Sequence, residues 1–151
     1  MDMSVVAKSP QIQALIAKAK KDMKPGGTLQ TEDVVSLAPF NVLLEYRTGA
    51  AGGGVHEKED EIFYCLEGEG TMVTGGHLVP GPGKNPNPPP AANPNMAYNV
   101  SQGGTPHLMT KGDILIVAHG MPHYVSGVKG HVIFLSMHLP RPELYTPPAA
   151  K

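Results

Sequence analysis

GGGVHEKEDEIFYCLEGEG, residues 52–70, is the stretch whose reading decides the fold. Gly52, Gly53 and Gly54 form a flexible approach, and the wholly charged run 57–60 reads as a tight hairpin turn. Residues 61–67 then read as a strand, rich in β-formers such as Ile62, Phe63 and Tyr64, and 68–70 as the next turn. A hairpin brings the residues flanking its turn within reach of each other, here His56 and Glu61. A buried carboxylate needs a compensating charge, which a divalent cation supplies; an ordinary His–Glu hydrogen bond is the plainer alternative. Glu59 and Asp60, inside the turn, are expected to be solvated.

A second stretch, GDILIVAHGMPHYV at residues 112–125, is built in the same way, with a glycine turn, a short apolar strand, a turn at Gly120, and a new strand carrying His123. Around these two stretches the period of the chain is mostly two. Residues 34–37 and 40–47 read as strands, as do 71–74, 77–79 and 131–139, with a turn expected at 127–130. The helical exception comes first. Ser9 is a candidate N-cap, Pro10 suits the first helical position, and Ile12, Leu15, Ile16, Ala19 and Met23 recur at helical spacing. Lys18, Lys20 and Lys21 complement the dipole near the C-terminal end, and Pro25-Gly26-Gly27 ends the helix. The amphipathic face is expected to pack on the sheet or on a second subunit.

Residues 80–106 break the pattern. They are rich in Pro, Asn and Gly, contain little that packs, and exclude a central strand because proline removes ladder donors. The segment reads as a surface insertion, as a lid over the barrel mouth, or as an arm on a partner subunit, with a short strand at 96–100. Gly81-Pro82-Gly83-Lys84 lacks the spacing, the Ser/Thr and the following helix of a phosphate loop. The organisation expected is therefore a helical segment at 1–27, a strand domain at 28–139 with the insertion at 80–106, and a surface tail at 140–151.

Bulk properties narrow the function classes. The 151 residues suffice for one domain with a core, and the net charge of −1 gives no electrostatic footprint for nucleic acid or an anionic membrane. No apolar run approaches the roughly 20 residues of a membrane span. The one cysteine, Cys65, excludes an internal disulfide and fits a reducing, cytoplasmic setting. Cys65 alternates with Glu61 and Phe63 and is expected to be a small buried residue of the interior. Tyr64, Tyr98 and Tyr124 are candidates for packing or for hydrogen bonds to a ligand.

The two central stretches together resemble the cupins, whose first motif runs G-x5-H-x-H-x3,4-E-x6-G and whose second runs G-x5-P-x-G-x2-H-x3-N. Anchored on Glu61 and Gly68, the first motif places His56 on its second His and Gly54 where the first His is usual. In the other register His56 is the first His, Lys58 takes the second place, and one His is again missing. In the second motif Gly112, Gly120 and His123 match, while Ala118 stands for Pro and Gly127 for Asn. The resemblance implies an all-β cupin jelly-roll barrel with an N-terminal α-helix, forming a homodimer. It implies one divalent metal, iron(II) favoured over manganese, nickel or zinc, held by His56, Glu61 and His123. Two His and one carboxylate form a minimal set for non-haem iron(II), with positions open for substrate or oxygen; His77, His107, His119 and His138 are candidates for a fourth ligand. The activity implied is metal-dependent chemistry on a small organic substrate, a dioxygenase favoured slightly over an isomerase, decarboxylase or lyase. The alternative is a non-catalytic barrel that binds a small ligand around a degenerate metal site, a reading motivated by Gly54.

Overall fold

The computed structural model of the chain describes residues 4–86 and 97–144. Helix α1 (Ser9–Asp22) is followed by β1 (Leu29–Leu37), β2 (Phe40–Arg47), β3 (Glu59–Thr74), β4 (His77–Lys84), β5 (Ala97–Gln102), β6 (Thr105–Thr110), β7 (Ile114–Val117) and β8 (His123–Pro140). All pairings are antiparallel. The larger sheet runs β1-β2-β8-β3-β6, with β7 beside the first half of β3, and β4 and β5 form a separate two-stranded sheet.

Two long strands organise the molecule. β3 pairs with β8 along almost its whole length, from Glu59↔Pro140 to Thr74↔His123. On its other edge β3 takes β7 over residues 61–64 and β6 over residues 69–74. The change of partner is made at Cys65, whose N–H donates to the Asp113 carbonyl and whose carbonyl accepts from Gly112 N–H. Phe63, Cys65 and Met72 of β3 share one core with Val125, Val132 and Phe134 of β8, and with Met109 and Val117. Opposite halves of each long strand thus face the same apolar centre, which is the double curl of a jelly roll.

The opposite face of the sheet is buried as well. Ile16 and Ala19 of α1 pack with Leu44 and Ile133, flanked by Leu15, Val34, Tyr46 and Leu135. The helix therefore takes the first of its two expected places, on its own sheet. Its cap lies one residue before the expected Ser9: Lys8 is the N-cap, and its N–H donates to Gln11 Oε1 at 2.7 Å. Because α1 covers the Leu44 and Tyr46 side of β2, the alternate residues Glu45 and Arg47 are turned to the interior and buried.

Three expected turns are corrected. Residues 57–60 do not form a hairpin: β3 has already begun at Glu59, where β8 supplies its partner, and Gly54 forms an isolated bridge with His123. Residues 68–70 and 127–130 bulge without reversing, because continuous pairing between β3 and β8 carries both strands through. Of the expected 80–106 insertion, Pro80–Lys84 lies in β4, and β5 and the start of β6 account for 97–102 and 105–106. The two-stranded sheet tolerates Pro80 and Pro82 with a register shift between Pro80 and Lys84; residues 87–96 lie outside those described. Pro140 closes β8 instead of opening a tail, and a 3-10 turn follows at Pro142–Leu144.

Gly68 shows how tightly the bulge is made. Its φ is +81°, and a Cβ there would lie 2.1 Å from the His131 carbonyl oxygen. We expect Gly68→Ala to cost on the order of 3 kcal/mol or more, since backbone strain and a backbone clash add. A urea titration reads this as a lower midpoint at unchanged m; a midpoint equal to the parent's would mean that β3 and β8 separate freely here.

Candidate metal centre

Glu61, His123 and His138 reach one point from different parts of the fold. Glu61 is on β3, directly opposite His138 of β8 in the ladder, and His123 is the first residue of β8. His56 precedes β3 and is fixed through its carbonyl, which accepts from Gly120 N–H at 2.8 Å. Glu61 is 3 % exposed, His123 8 %. Around Glu61 Oε2 stand His123 Nε2 at 3.0 Å and His56 Nε2 at 3.1 Å. His138 Nε2 is 3.4 Å from Oε1, which also accepts from Ser136 Oγ at 2.5 Å. The His56 ring centroid lies 5.3 Å from that of His123 and 4.8 Å from that of His138.

The expected trio His56, Glu61 and His123 is thus brought together, its candidate ligand atoms all within 4.8 Å of one another. Of the four candidates for a fourth ligand, His138 lies beside Glu61 but groups with His56 and Glu59, and the other three lie elsewhere. His77 is exposed on β4. His107 pairs with Thr74 Oγ1 at 2.9 Å. His119 lies against Asp60, 3.1 Å from Nδ1 to Oδ1. The Asp60 carboxyl is held down to about 2 by the His119 backbone N–H, the Arg141 guanidinium and the His119 ring; this network steadies the turn that leads into His123.

Glu59 is a correction. Far from being solvated, it stands behind two of the imidazoles, accepting from His138 Nδ1 at 2.8 Å and lying 3.4 Å from His56 Nδ1. His123 has the equivalent support from the Met121 carbonyl, 3.2 Å from Nδ1. A carbonyl only accepts, so Nδ1 of His123 carries the hydrogen, and in the neutral ring the Nε2 lone pair is turned to Glu61. The carboxylate–His138 pair works in the same sense.

His123 Nε2 faces Glu61 Oε2 at 3.0 Å, a gap that a proton or a cation can bridge. Consistent with this, Oε2 of Glu61 is buried and accepts no well-aligned hydrogen bond. Were His123 a simple imidazolium partner, its N–H would point along that line. A cation between the lone pairs resolves the arrangement. Ligands at about 2.1 Å from one ion and at right angles to each other stand roughly 3 Å apart, the spacing each of the two imidazole nitrogens shows to Glu61 Oε2. The residues therefore fit a divalent metal.

Charge in the metal-free cluster is arranged accordingly. Burial pushes the Glu61 carboxyl up, but His123, His56 and Ser136 outweigh it and hold the group below the ordinary carboxylate range. The Glu61 carboxylate in turn raises the His56 pKa above its ordinary 6.5 against the effect of burial. A cavity of about 270 Å³ opens beside the cluster, lined by His56, Glu61, His123 and His138 and by Phe63, Met72, Tyr124 and Val125. Gly54, where the cupin motif has a His, also lines it, and a Cβ there would meet nothing within 4 Å. Cys65 is fully buried in the core, its thiol pushed up by burial, as expected of a packing residue.

No family model and no curated protein matches the sequence. Solved structures do resemble the fold. A Klebsiella pneumoniae protein with a double-stranded β-helix domain aligns at a TM-score of 0.55 and 16% identity over 82% of this chain and 88% of its own. The cupin domain of Cnp3 from Schizosaccharomyces pombe aligns at 0.52 and 14% identity, over 74% of this chain and 61% of its own. The iron(II) form of HppE gives 0.58 at 14% identity, over 92% of this chain but only 62% of its own. At such identities the likeness is one of fold, and that fold is the cupin jelly roll.

Proposed function

We propose that the chain binds one divalent metal, preferably iron(II), through His56, Glu61 and His123, with His138 as fourth ligand. On this reading it is a metal-dependent enzyme acting on a small organic substrate, with oxygen-dependent chemistry favoured. The observation that carries the proposal is the buried Glu61 oxygen that has two imidazole nitrogens within 3.1 Å and accepts no well-aligned hydrogen bond. On this reading His138, 3.4 Å from Glu61, takes the place of the histidine that Gly54 lacks, which speaks against a degenerate site. Iron is supported by the tetradentate His and carboxylate set and by the likeness to a protein solved with iron(II). Bound there, the metal would supply Lewis acidity toward substrate and, as iron(II), a meeting point for substrate and dioxygen.

The chain's own residues do the rest. Glu59 and the Met121 carbonyl hold Nδ1 hydrogens, so that Nε2 of His138 and of His123 stay free to ligate. Ser136 fixes the Glu61 carboxylate. Phe63, Met72 and Val125 give the cavity apolar walls that exclude water from the reacting groups. His56 is the most exposed of the ligands, with a side chain 35% accessible, and faces arriving substrate.

Loading with iron(II) or manganese and competition against a chromogenic chelator test the site. One metal per chain is expected. Glu59→Gln should weaken binding roughly 10–100-fold, the usual cost of losing a group behind a ligand, and His123→Ala more than that. Stoichiometric metal that survives His56→Ala/His123→Ala would remove the proposal. Oxygen uptake by the iron-loaded protein across diketones and catechols tests the chemistry; metal binding with no uptake and no turnover would leave a binding protein.

The pH dependence has a definite sign. In the metal-free protein the raised His56 pKa contributes stability that is full below 6.5 and lost as pH rises through the raised value. The lowered Glu61 pKa contributes stability that is full above 4.5 and lost as pH falls through the lowered value. The metal-free melting temperature should therefore decline above pH 6.5, whereas the stabilisation on adding metal should grow there as His56 loses its proton. Parallel melting curves with and without metal across this range would contradict His56 as a ligand.

A further inference from the structure

The cavity wall carries a second polar pair that the metal site does not use. Glu45 and Arg47 of β2 line it, buried to 7 % and 8 % exposure. Arg47 Nε donates to Glu45 Oε2 at 2.9 Å, and Nη2 forms an ion pair with the same oxygen at 2.8 Å. A guanidinium carries five N–H donors in a rigid fork. Glu45 occupies the Nε side of that fork, and among the described residues Nη1 has no partner. Nη1 is not among the fully enclosed unpartnered atoms, so it is reached from the cavity, where its end-on edge is open to a ligand. That edge matches a carboxylate in a bidentate arrangement, and Glu45 holds its plane in advance.

We propose that Arg47 anchors the carboxylate of a small organic anion whose other end reaches the histidine–glutamate cluster. Only that far end rests on the metal reading; the anchor does not. Charge agrees: with a divalent ion in the cluster, Arg47 and the metal outweigh Glu45 and Glu61, so the cavity favours an anion. Size limits the ligand to a small molecule, since 270 Å³ falls just below the usual pocket range of about 300–1,000 Å³. Phe63, Met72 and Val125 in the same walls suit a short apolar body between the two ends.

The test is calorimetric titration of acetate, pyruvate and benzoate, each against its neutral amide, into nickel-loaded and metal-free protein. At least one acid should bind about 10-fold or more tightly than its amide, the scale of charge-assisted hydrogen bonds. The preference should persist, weaker, without metal. Arg47→Met, and Glu45→Gln/Arg47→Met in case a lone buried Glu45 prevents folding, should abolish it at unchanged nickel stoichiometry. Arg47→Lys should restore part of it, because a point charge lacks the fork. Equal binding of acid and amide by the metal-loaded parent, for all three pairs, overturns the proposal. So does a preference that survives in both Met variants, which would place the carboxylate on the metal alone. Failure to load metal while the preference remains would overturn the metal site and leave the anchor standing.

Discussion

The Glu61 carboxylate is the constraint on which the rest of the site depends. It is buried, ionised, and placed where one of its oxygens meets two imidazole nitrogens within 3.1 Å. An isolated carboxylate in such surroundings would protonate to avoid the cost of desolvation. Here the imidazoles and the Ser136 hydroxyl outweigh that tendency. Ordering of the groups behind them then matters as much as the cluster itself. Glu59 and the Met121 carbonyl each take the Nδ1 side of a ring, which turns Nε2 of His138 and of His123 towards Glu61.

Convergence is a product of strand curvature. His123 and His138 sit near opposite ends of β8, which a straight strand would hold about 50 Å apart at roughly 3.3 Å per residue. Both lie within 3.4 Å of Glu61. The bulges where β3 and β8 shift register let each strand turn back on the shared core of Phe63, Met72 and Phe134. Packing that core and closing the site are therefore one event. The same curvature, with α1 covering the outer face, turns Glu45 and Arg47 inward and adds a second polar pair to the cavity wall.

Local signals were legible where they were strong. The alternation in 61–67 and 131–139, the helical spacing of Ile12, Ile16 and Ala19, and the spacing of His56, Glu61 and His123 all point to elements and groupings that the structure contains. Turn signals at 57–60, 68–70 and 127–130 misled, because charged and glycine-rich residues mark bulges and strand entries as readily as reversals once a long partner strand is present. His138 offered only a weak cue: it continues the alternation of Val132, Phe134 and Ser136 on one face of β8.

The sequence by itself determined the fold class, the helix and the central trio, because strand period, capping and motif spacing act over a few residues and leave their pattern in the chain. Tertiary structure alone decided that His138 comes to lie beside Glu61, that Glu59 pairs with His138 instead of facing water, and that Arg47 lines the cavity. Those outcomes depend on which face of a strand is covered and on how far it curls. Both are settled by packing among segments distant in sequence, about which no local window carries information.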